Sequence, residues 1–234
     1  MLSKADIKGI KSLSMKKFRD ERGLFVVEGE KLVAEAVASD FEVVRILRAD
    51  EIGRDAMSRI SMLSSPSPVL AVVKMPSTQE SLHIDRNSLT LALDGLRDPG
   101  NVGTIIRLAD WFGIRNVIAS RDTVDIYNPK VVQATMGAIF RVNFSYCDLP
   151  EALAASGCAV YGTYLEGDDI YGAELSDRGI IVLGSESDGI SAEVGKAVTR
   201  KLTIPSFSKG RTVCESLNVA MAAAVVCSEF RRRI

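Results

Sequence analysis

Three short polar stretches hold the residue types able to do chemistry in this chain of 234 residues. The first pairs Asn101 with Arg107, an amide and a guanidinium behind the turn Asp98-Pro99-Gly100. The second, Gly184-Ser185-Glu186-Ser187-Asp188-Gly189, presents the carboxylate of Glu186 from a glycine-bounded turn. The third runs from Pro205 to Asn218 and ends with Ser216 and Asn218. Each alone has a plain structural reading: a turn, a solvated carboxylate, or capping types at a helix start. Each also follows an apolar strand, and three such clusters in one domain read as a single site at one sheet edge. The set offers oriented donors and one carboxylate. His83, the only histidine, lies between Leu82 and Ile84 and reads as a packing or surface residue, so the commonest general base is missing.

Other chemistries find no support. Gly95, Gly100 and Gly103 do not make G-x-G-x-x-G, and Ser208-Lys209-Gly210-Arg211-Thr212 has P-loop residue types in the wrong order. That speaks against a Rossmann dehydrogenase and a P-loop nucleotidase. Cys147, Cys158, Cys214 and Cys227 form no C-x-x-C pair and read as free thiols of a reducing compartment. No Asp/His cluster suggests a metal, and none is expected.

Such a site needs buried strands with turns at their ends. The chain is organised around Leu89 to Gly113, LTLALDGLRDPGNVGTIIRLADWFG. Leu91-Ala92-Leu93 is apolar on both faces, as in a parallel strand covered on two sides. Asn101 is expected to cap a helix whose apolar stripe is Val102, Ile105, Ile106, Ala109 and Phe112, with Arg107 off the stripe. Open α/β sheets bind ligands just beyond the carboxyl end of such a strand. Further strands are expected at 116–119, 141–146, 159–165, 179–183 and 202–204. Helices are expected from Asn128-Pro129 to about Gly137, at 150–155, and at 215–232 with Leu217, Ala220, Ala224 and Cys227 as a stripe. The alternation predicts an α/β domain, mainly parallel, over 89–234.

Residues 1–75 show their own pattern. One amphipathic helix or two short ones cover 3–20, strands follow at 24–27, 41–48 and 69–74, and helices lie between them at 31–39 and 54–63. This predicts a small three-layer α/β domain. Residues 76–88, opened by Met75-Pro76-Ser77, read as a linker. Charge is uneven: residues 1–22 carry seven Lys/Arg against three Asp/Glu, 148–193 carry one against ten, and 196–234 carry eight against two. Two basic ends around an acidic middle suit a polyanion partner, and solvated mixed surfaces account for them equally well. No apolar run is long enough for a membrane span, and the charged first twenty residues have no signal-peptide core; a cytoplasmic protein is expected.

The motifs taken together carry a resemblance. Asp94-Gly95-Leu96-Arg97-Asp98-Pro99-Gly100-Asn101-Val102-Gly103-Thr104-Ile105-Ile106-Arg107 resembles the first motif of the SpoU (TrmH-like) RNA ribose methyltransferases of the SPOUT superfamily. Ile181-Val182-Leu183-Gly184-Ser185-Glu186-Ser187-Asp188-Gly189-Ile190 resembles the second. Ile204-Pro205 and then Glu215-Ser216-Leu217-Asn218-Val219-Ala220 resemble the third. Lys16-Lys17 through Phe25-Val26-Val27-Glu28-Gly29 is similar to the ribosomal-protein-like RNA-binding domain that precedes many members.

The resemblance implies a trefoil-knotted methyltransferase domain behind a small α/β RNA-binding domain. It implies S-adenosylmethionine as cofactor, a homodimer, and methyl transfer to a ribose 2′-hydroxyl, with ribosomal RNA favoured over transfer RNA. By position, cofactor contacts fall on Thr163, Gly184, Ile204 and Leu217, and the polar site residues are Asn101, Arg107, Glu186, Ser216 and Asn218. A sulfonium methyl is already electrophilic, so the work is alignment and the handling of one proton. Arginine is a poor proton acceptor, so Arg107 is read as a charged donor to phosphate and developing oxyanion. Water, the phosphate or Glu186 could take the proton, and the sequence does not choose among them. Two alternatives stay open: a non-catalytic RNA-binding or ribosome-assembly protein of this fold, and a knotted base methyltransferase. One departure stands out. Phe207 to Cys214 makes the stretch between Ile-Pro and Ser-Leu-Asn about four residues longer than is usual in the family.

Overall fold

A computed structural model describes residues 2–76, 84–208 and 216–232 of the chain. His83 and most of the long 207–214 stretch lie outside the described residues. The chain divides into two compact units, 1–80 with 125–141, and 81–124 with 142–234.

The first unit opens with two short helices, α1 (Lys4–Ser12) and α2 (Lys16–Arg22). Ser3 and Asp6 close a capping box on α1, each side chain serving the other's backbone N–H. Then come β1 (Leu24–Glu28), α3 (Glu30–Ala38), β2 (Val43–Arg48), α4 (Ala49–Ile52), α5 (Arg54–Ile60) and β3 (Val69–Lys74). The three strands form an antiparallel sheet in the order β1-β3-β2. Side chains alternate across it. Val26, Leu47, Leu70 and Val72 meet Ile7, Ile10, Leu13, Met57 and Ile60 of the helical layer on one face. On α3 Leu32, Val33 and Ala36 are buried, while Val37 is 57% exposed.

The second unit begins with β4 (Leu89–Asp94), all six of its residues buried, followed by α6 (Pro99–Trp111) and β5 (Asn116–Ser120). The chain then contributes α7 (Pro129–Thr135) and a 3₁₀ turn at Ala138–Phe140 to the first unit. There Asp125 pairs with the buried guanidinium of Arg19, which also donates to the carbonyls of Leu13 (2.8 Å) and Ser14 (2.9 Å). Tyr127 packs on Phe25 with ring centroids 4.7 Å apart. The second unit resumes with β6 (Asn143–Cys147), α8 (Leu149–Ser156), β7 (Val160–Asp169), β8 (Gly179–Gly184), α9 (Ala192–Gly195), β9 (Arg200–Thr203) and α10 (Val219–Arg232). Its six strands are ordered β6-β5-β4-β8-β7-β9, and every neighbouring pair is parallel.

One face of this sheet packs on α8 and α9 through Ala92, Ile118, Val160, Ile180, Val182, Leu149, Leu153 and Val194. α6 and α10 lie side by side in the second unit. α6 buries Val102, Ile105, Ile106 and Ala109, as its apolar stripe predicts. α10 buries Val219, Ala220, Ala223, Val226, Cys227 and Phe230, a stripe rotated from the expected one. Leu217 is 55% exposed ahead of this helix. The Arg231 guanidinium fastens α10 to the far end of α6, donating to the carbonyls of Phe112 (2.8 Å) and Gly113 (3.2 Å). It occupies acceptors that the helix end leaves open.

Candidate functional site

The chain leaves β4 in one direction, toward β5 and β6, while β8 opens the other half of the sheet. The carboxyl ends of β4 and β8 therefore form a switch point, the position where open parallel sheets take ligands. Asn101, Glu186 and Asn218 converge there.

Asn101 is not the helix cap. Asp98 caps α6, its carboxylate accepting the Asn101 N–H at 2.8 Å, and Pro99 occupies the first helical position. Proline at that position wastes no donor and has the helical φ already set, which moves the start three residues upstream of the expectation. The Asn101 side chain is thereby free to bridge. Its Nδ2 donates to Glu186 Oε1, and its Oδ1 accepts from Asn218 Nδ2 at 3.0 Å. Asn218 in turn caps α10, its Oδ1 accepting the N–H groups of Ala220 (2.9 Å) and Met221 (3.3 Å). Two amides and one carboxylate, from three separate polar clusters, thus form one continuous chain of hydrogen bonds. It joins the starts of two helices, where backbone N–H groups and the helix dipole favour negative charge.

Gly184 shows why its turn needs glycine. A Cβ on it would lie 2.1 Å from the Gly189 carbonyl carbon and 2.3 Å from the Ile190 nitrogen. Ser185 and Gly189 exchange both backbone hydrogen bonds at 3.0 Å, which folds the loop back over the strand end and holds Glu186 at its tip. Asp94, nearly buried at the end of β4, accepts the Ser191 N–H at 2.7 Å and pins the other side of the loop. Thr163 on β7 donates to the Val182 carbonyl at 3.0 Å, and Ile204 follows β9 directly. Gly184 and Ile204 thus lie at the ends of β8 and β9, and Thr163 lies within β7, the strand between them. Leu217 and Ser216 are exposed ahead of α10. Arg107 is exposed on α6, two turns beyond Asn101, with no hydrogen bond or ion pair among the described residues.

Sequence reasoning passed over three residues. Asp98 and Asp94 set the two loops, and the Asp-Pro pair was a readable capping signal for the first. Tyr164, next to Thr163, has its hydroxyl pushed up by burial and then by the Asp94 carboxylate, and Lys201 sits 4.9 Å above its ring. No group of His, Cys, Asp and Glu able to hold a metal occurs among the described residues. No helix among them is long and apolar enough to cross a membrane.

An all-parallel α/β domain with a polar cluster at its switch point defines a ligand-binding class, and comparison with known proteins narrows it. The chain belongs to the SpoU rRNA methylase family, whose model matches residues 88–228. An MRM3-like substrate binding domain matches residues 4–74. Among relatives, the 23S rRNA (guanosine(2553)-2′-O)-methyltransferase RlmP of Bacillus subtilis (strain 168) is 33% identical, covering 96% of this chain and 95% of its own. Among solved structures, a TrmH-family chain from Porphyromonas gingivalis is 40% identical with a TM-score of 0.88, covering 100% of both chains. The AdoMet-bound rRNA methyltransferase from Sinorhizobium meliloti is 27% identical with a TM-score of 0.87, covering 100% of this chain and 97% of that one.

The strand ends suit a cofactor of that kind. Thr163, Gly184 and Ile204 bring no charge, and the Gly184 turn leaves no room for a side chain. A molecule mixing a purine, a sugar and an amino acid can be taken there by backbone groups and small side chains.

Proposed function

We propose that this chain transfers a methyl group from S-adenosylmethionine to a ribose 2′-hydroxyl of structured RNA, ribosomal RNA in preference to transfer RNA. The observation that carries this reading is the hydrogen-bonded chain Asn218–Asn101–Glu186, set at the switch point of a SpoU-family sheet. The family's AdoMet-bound relative supports the cofactor. S-adenosylmethionine supplies an electrophilic methyl, with Thr163, Gly184, Ile204 and Leu217 as its contacts.

The remaining roles fall to this chain's own polar groups. Arg107, exposed and free of partners among the described residues, binds a phosphate of the RNA and stabilises negative charge growing on the attacking oxygen. Asn101 and Asn218 hold each other in place and orient Glu186. Glu186 keeps its second oxygen open toward solvent, which suits it to receive the hydroxyl proton directly or through water. Ser216, beside Asn218, is a further donor at the mouth of the site.

Residues 1–75 grip the RNA, 76–88 link, and 89–234 do the chemistry, with 125–141 built into the first unit as a structural arm. After β9, at one sheet edge, the chain returns to pack α10 on α6 and β8 near the centre. That return supports a carboxyl-terminal trefoil knot, an exception to the usual rule of unthreaded chains. A homodimer is supported by apolar surface left on the α6–α10 pair, Trp111 at 84% and Met221 at 62% exposure. The small residues of α10 do not add to that surface: Ala220 and Ala223 are buried within this chain and Ala224 is half-buried. The protein acts in the cytoplasm, without a metal.

The test is nucleoside analysis of ribosomal RNA from cells lacking the gene, after incubation with the purified protein and S-adenosylmethionine. A 2′-O-methylated nucleoside is expected. A base-methylated one, or none, would overturn the reading in favour of the base-modifying or non-catalytic alternative. Arg107→Ala is expected to lower turnover by about 10²–10³ at unchanged cofactor affinity, and Arg107→Lys to fail as well.

A further inference from the structure

A cleft of about 410 Å³ opens in the first unit between the start of α3, Pro68 ahead of β3, and the end of α7. Its volume is in the range of sites that hold small organic groups. Nothing in the methyl-transfer chemistry uses it.

Its lining is unusual in three ways. Met136 is the only non-glycine residue at positive φ among the described residues, at 51°, and it is 47% exposed. A straight-chain side chain in the left-handed region is strained, and such strain collects where a surface is held for contact. Gly137 follows at φ 98°, so the two together end α7 and turn Met136 toward the cleft. Second, the half-buried carboxamide of Gln133 has no partner among the described residues, although its backbone carbonyl accepts the Met136 N–H at 3.3 Å. Third, two carboxylates, Glu28 and Glu30, stand against the single ammonium of Lys31. Lys31 and Glu30 face the same opening, and Glu28 is committed to Ser61 Oγ at 2.6 Å and to the Met62 N–H. A phosphate gains little from such a balance. A neutral planar group with polar edges gains from apolar walls at Met136 and Pro68 and from one amide able to donate and accept.

Resting on the proposed RNA substrate, we propose that this cleft takes one unstacked nucleobase of that RNA, with Gln133 reading its edge and Met136 and Pro68 holding its faces. Proteins recognise RNA sequence mostly through bases splayed out of helices, and Gln pairs well with a base edge. The cleft would then be a specificity element built jointly by the first domain and by the 125–141 arm.

The experiment uses the full chain and ribosomal RNA from cells lacking the gene. Gln133→Leu keeps the helix and the volume and is expected to raise the KM for RNA about 5–10-fold, with kcat within about twofold and cofactor KM unchanged. Met136→Gly relieves the left-handed backbone and is expected to raise the melting temperature while also raising the KM for RNA. A residue with only a structural role would change the melting temperature and leave KM alone. Ultraviolet crosslinking followed by mass spectrometry is expected to attach a nucleotide to the peptide spanning 131–137. An unchanged KM in both variants, or crosslinks confined to other peptides, overturns the proposal. A wild-type protein that crosslinks through 131–137 yet transfers no methyl group would sink the methyl-transfer reading and leave the cleft standing.

Discussion

Asn218 does two jobs that one substitution can separate. Its Oδ1 caps α10, and its Nδ2 donates to Asn101 at 3.0 Å. Asn218→Ser keeps an oxygen at the cap, where serine and asparagine are nearly equivalent, and loses only the bridge. An exposed hydrogen bond between neutral amides contributes roughly 0.5–1.5 kcal/mol, and this one sits at the low end because the site is open. Asn218→Ala loses the cap as well, about 1 kcal/mol more. At about 2–4 °C per kcal/mol for a domain of this size, serine lowers the melting temperature by roughly 1–4 °C and alanine by about 3–8 °C. Activity follows a different order. Without the bridge Asn101 keeps only its bond to Glu186, so the amide that orients the carboxylate is itself less firmly held. A misplacement near 1 Å costs up to about 10² in rate, so both variants are expected to lose about 10–10² in kcat. Thermal melts and transfer of labelled methyl from S-adenosylmethionine to ribosomal RNA supply the two readouts. A serine variant with wild-type kcat would refute the positioning role of the amide chain. Equal melting temperatures for serine and alanine would refute the capping role.

Other substitutions probe the scaffold. Gly184→Ala places a methyl 2.1 Å from the Gly189 carbonyl carbon, so the Glu186 loop must move; calorimetry should show cofactor binding lost while the fold survives by circular dichroism. A chain starting at Ser81 leaves Val131, Val132, Ala138 and Ile139 without the unit they are buried in, and burial of each valine or isoleucine is worth roughly 1.5–3 kcal/mol. Aggregation on size-exclusion chromatography is expected, and a monodisperse truncated protein with full cofactor affinity would contradict it. Burial pushes the Cys227 thiol up to about 12 and, with help from the Asp148 carboxylate, the Cys147 thiol up to about 11. At pH 8 their thiolate fractions are on the order of 10⁻⁴ and 10⁻³, so both should resist alkylation until the protein unfolds. Because the folded state holds these protons more tightly, their contribution to stability is present below the ordinary thiol range and is lost as the pH rises toward 11–12. Rapid labelling of either cysteine in native protein at pH 8 would count against this burial.

Local physics was legible in the sequence. The doubly apolar run at Leu89–Asp94 is a buried parallel strand, the stripe on α6 is its buried face, and Asn128 caps α7 ahead of Pro129. These patterns arise from the repeat of side-chain direction along one element, which needs only neighbouring residues. The three polar clusters were readable as candidates for the same reason, since each follows a strand. Their union was not readable from residue patterns. Asn101 and Asn218 are 117 residues apart and Asn101 and Glu186 are 85 apart, and only the strand order and the packing of α10 on α6 bring them within bonding distance. The Asn101 side chain could bridge only because Asp98 took the capping position, a choice between two capping residues three positions apart that the proline decides. The 125–141 arm was also hidden: its helical pattern says that one face is buried, and nothing local says in which unit. Amphipathic periodicity determines that a surface must be covered; the identity of the cover is a long-range outcome, settled here by the buried Arg19–Asp125 pair and the aromatic contact of Tyr127 with Phe25.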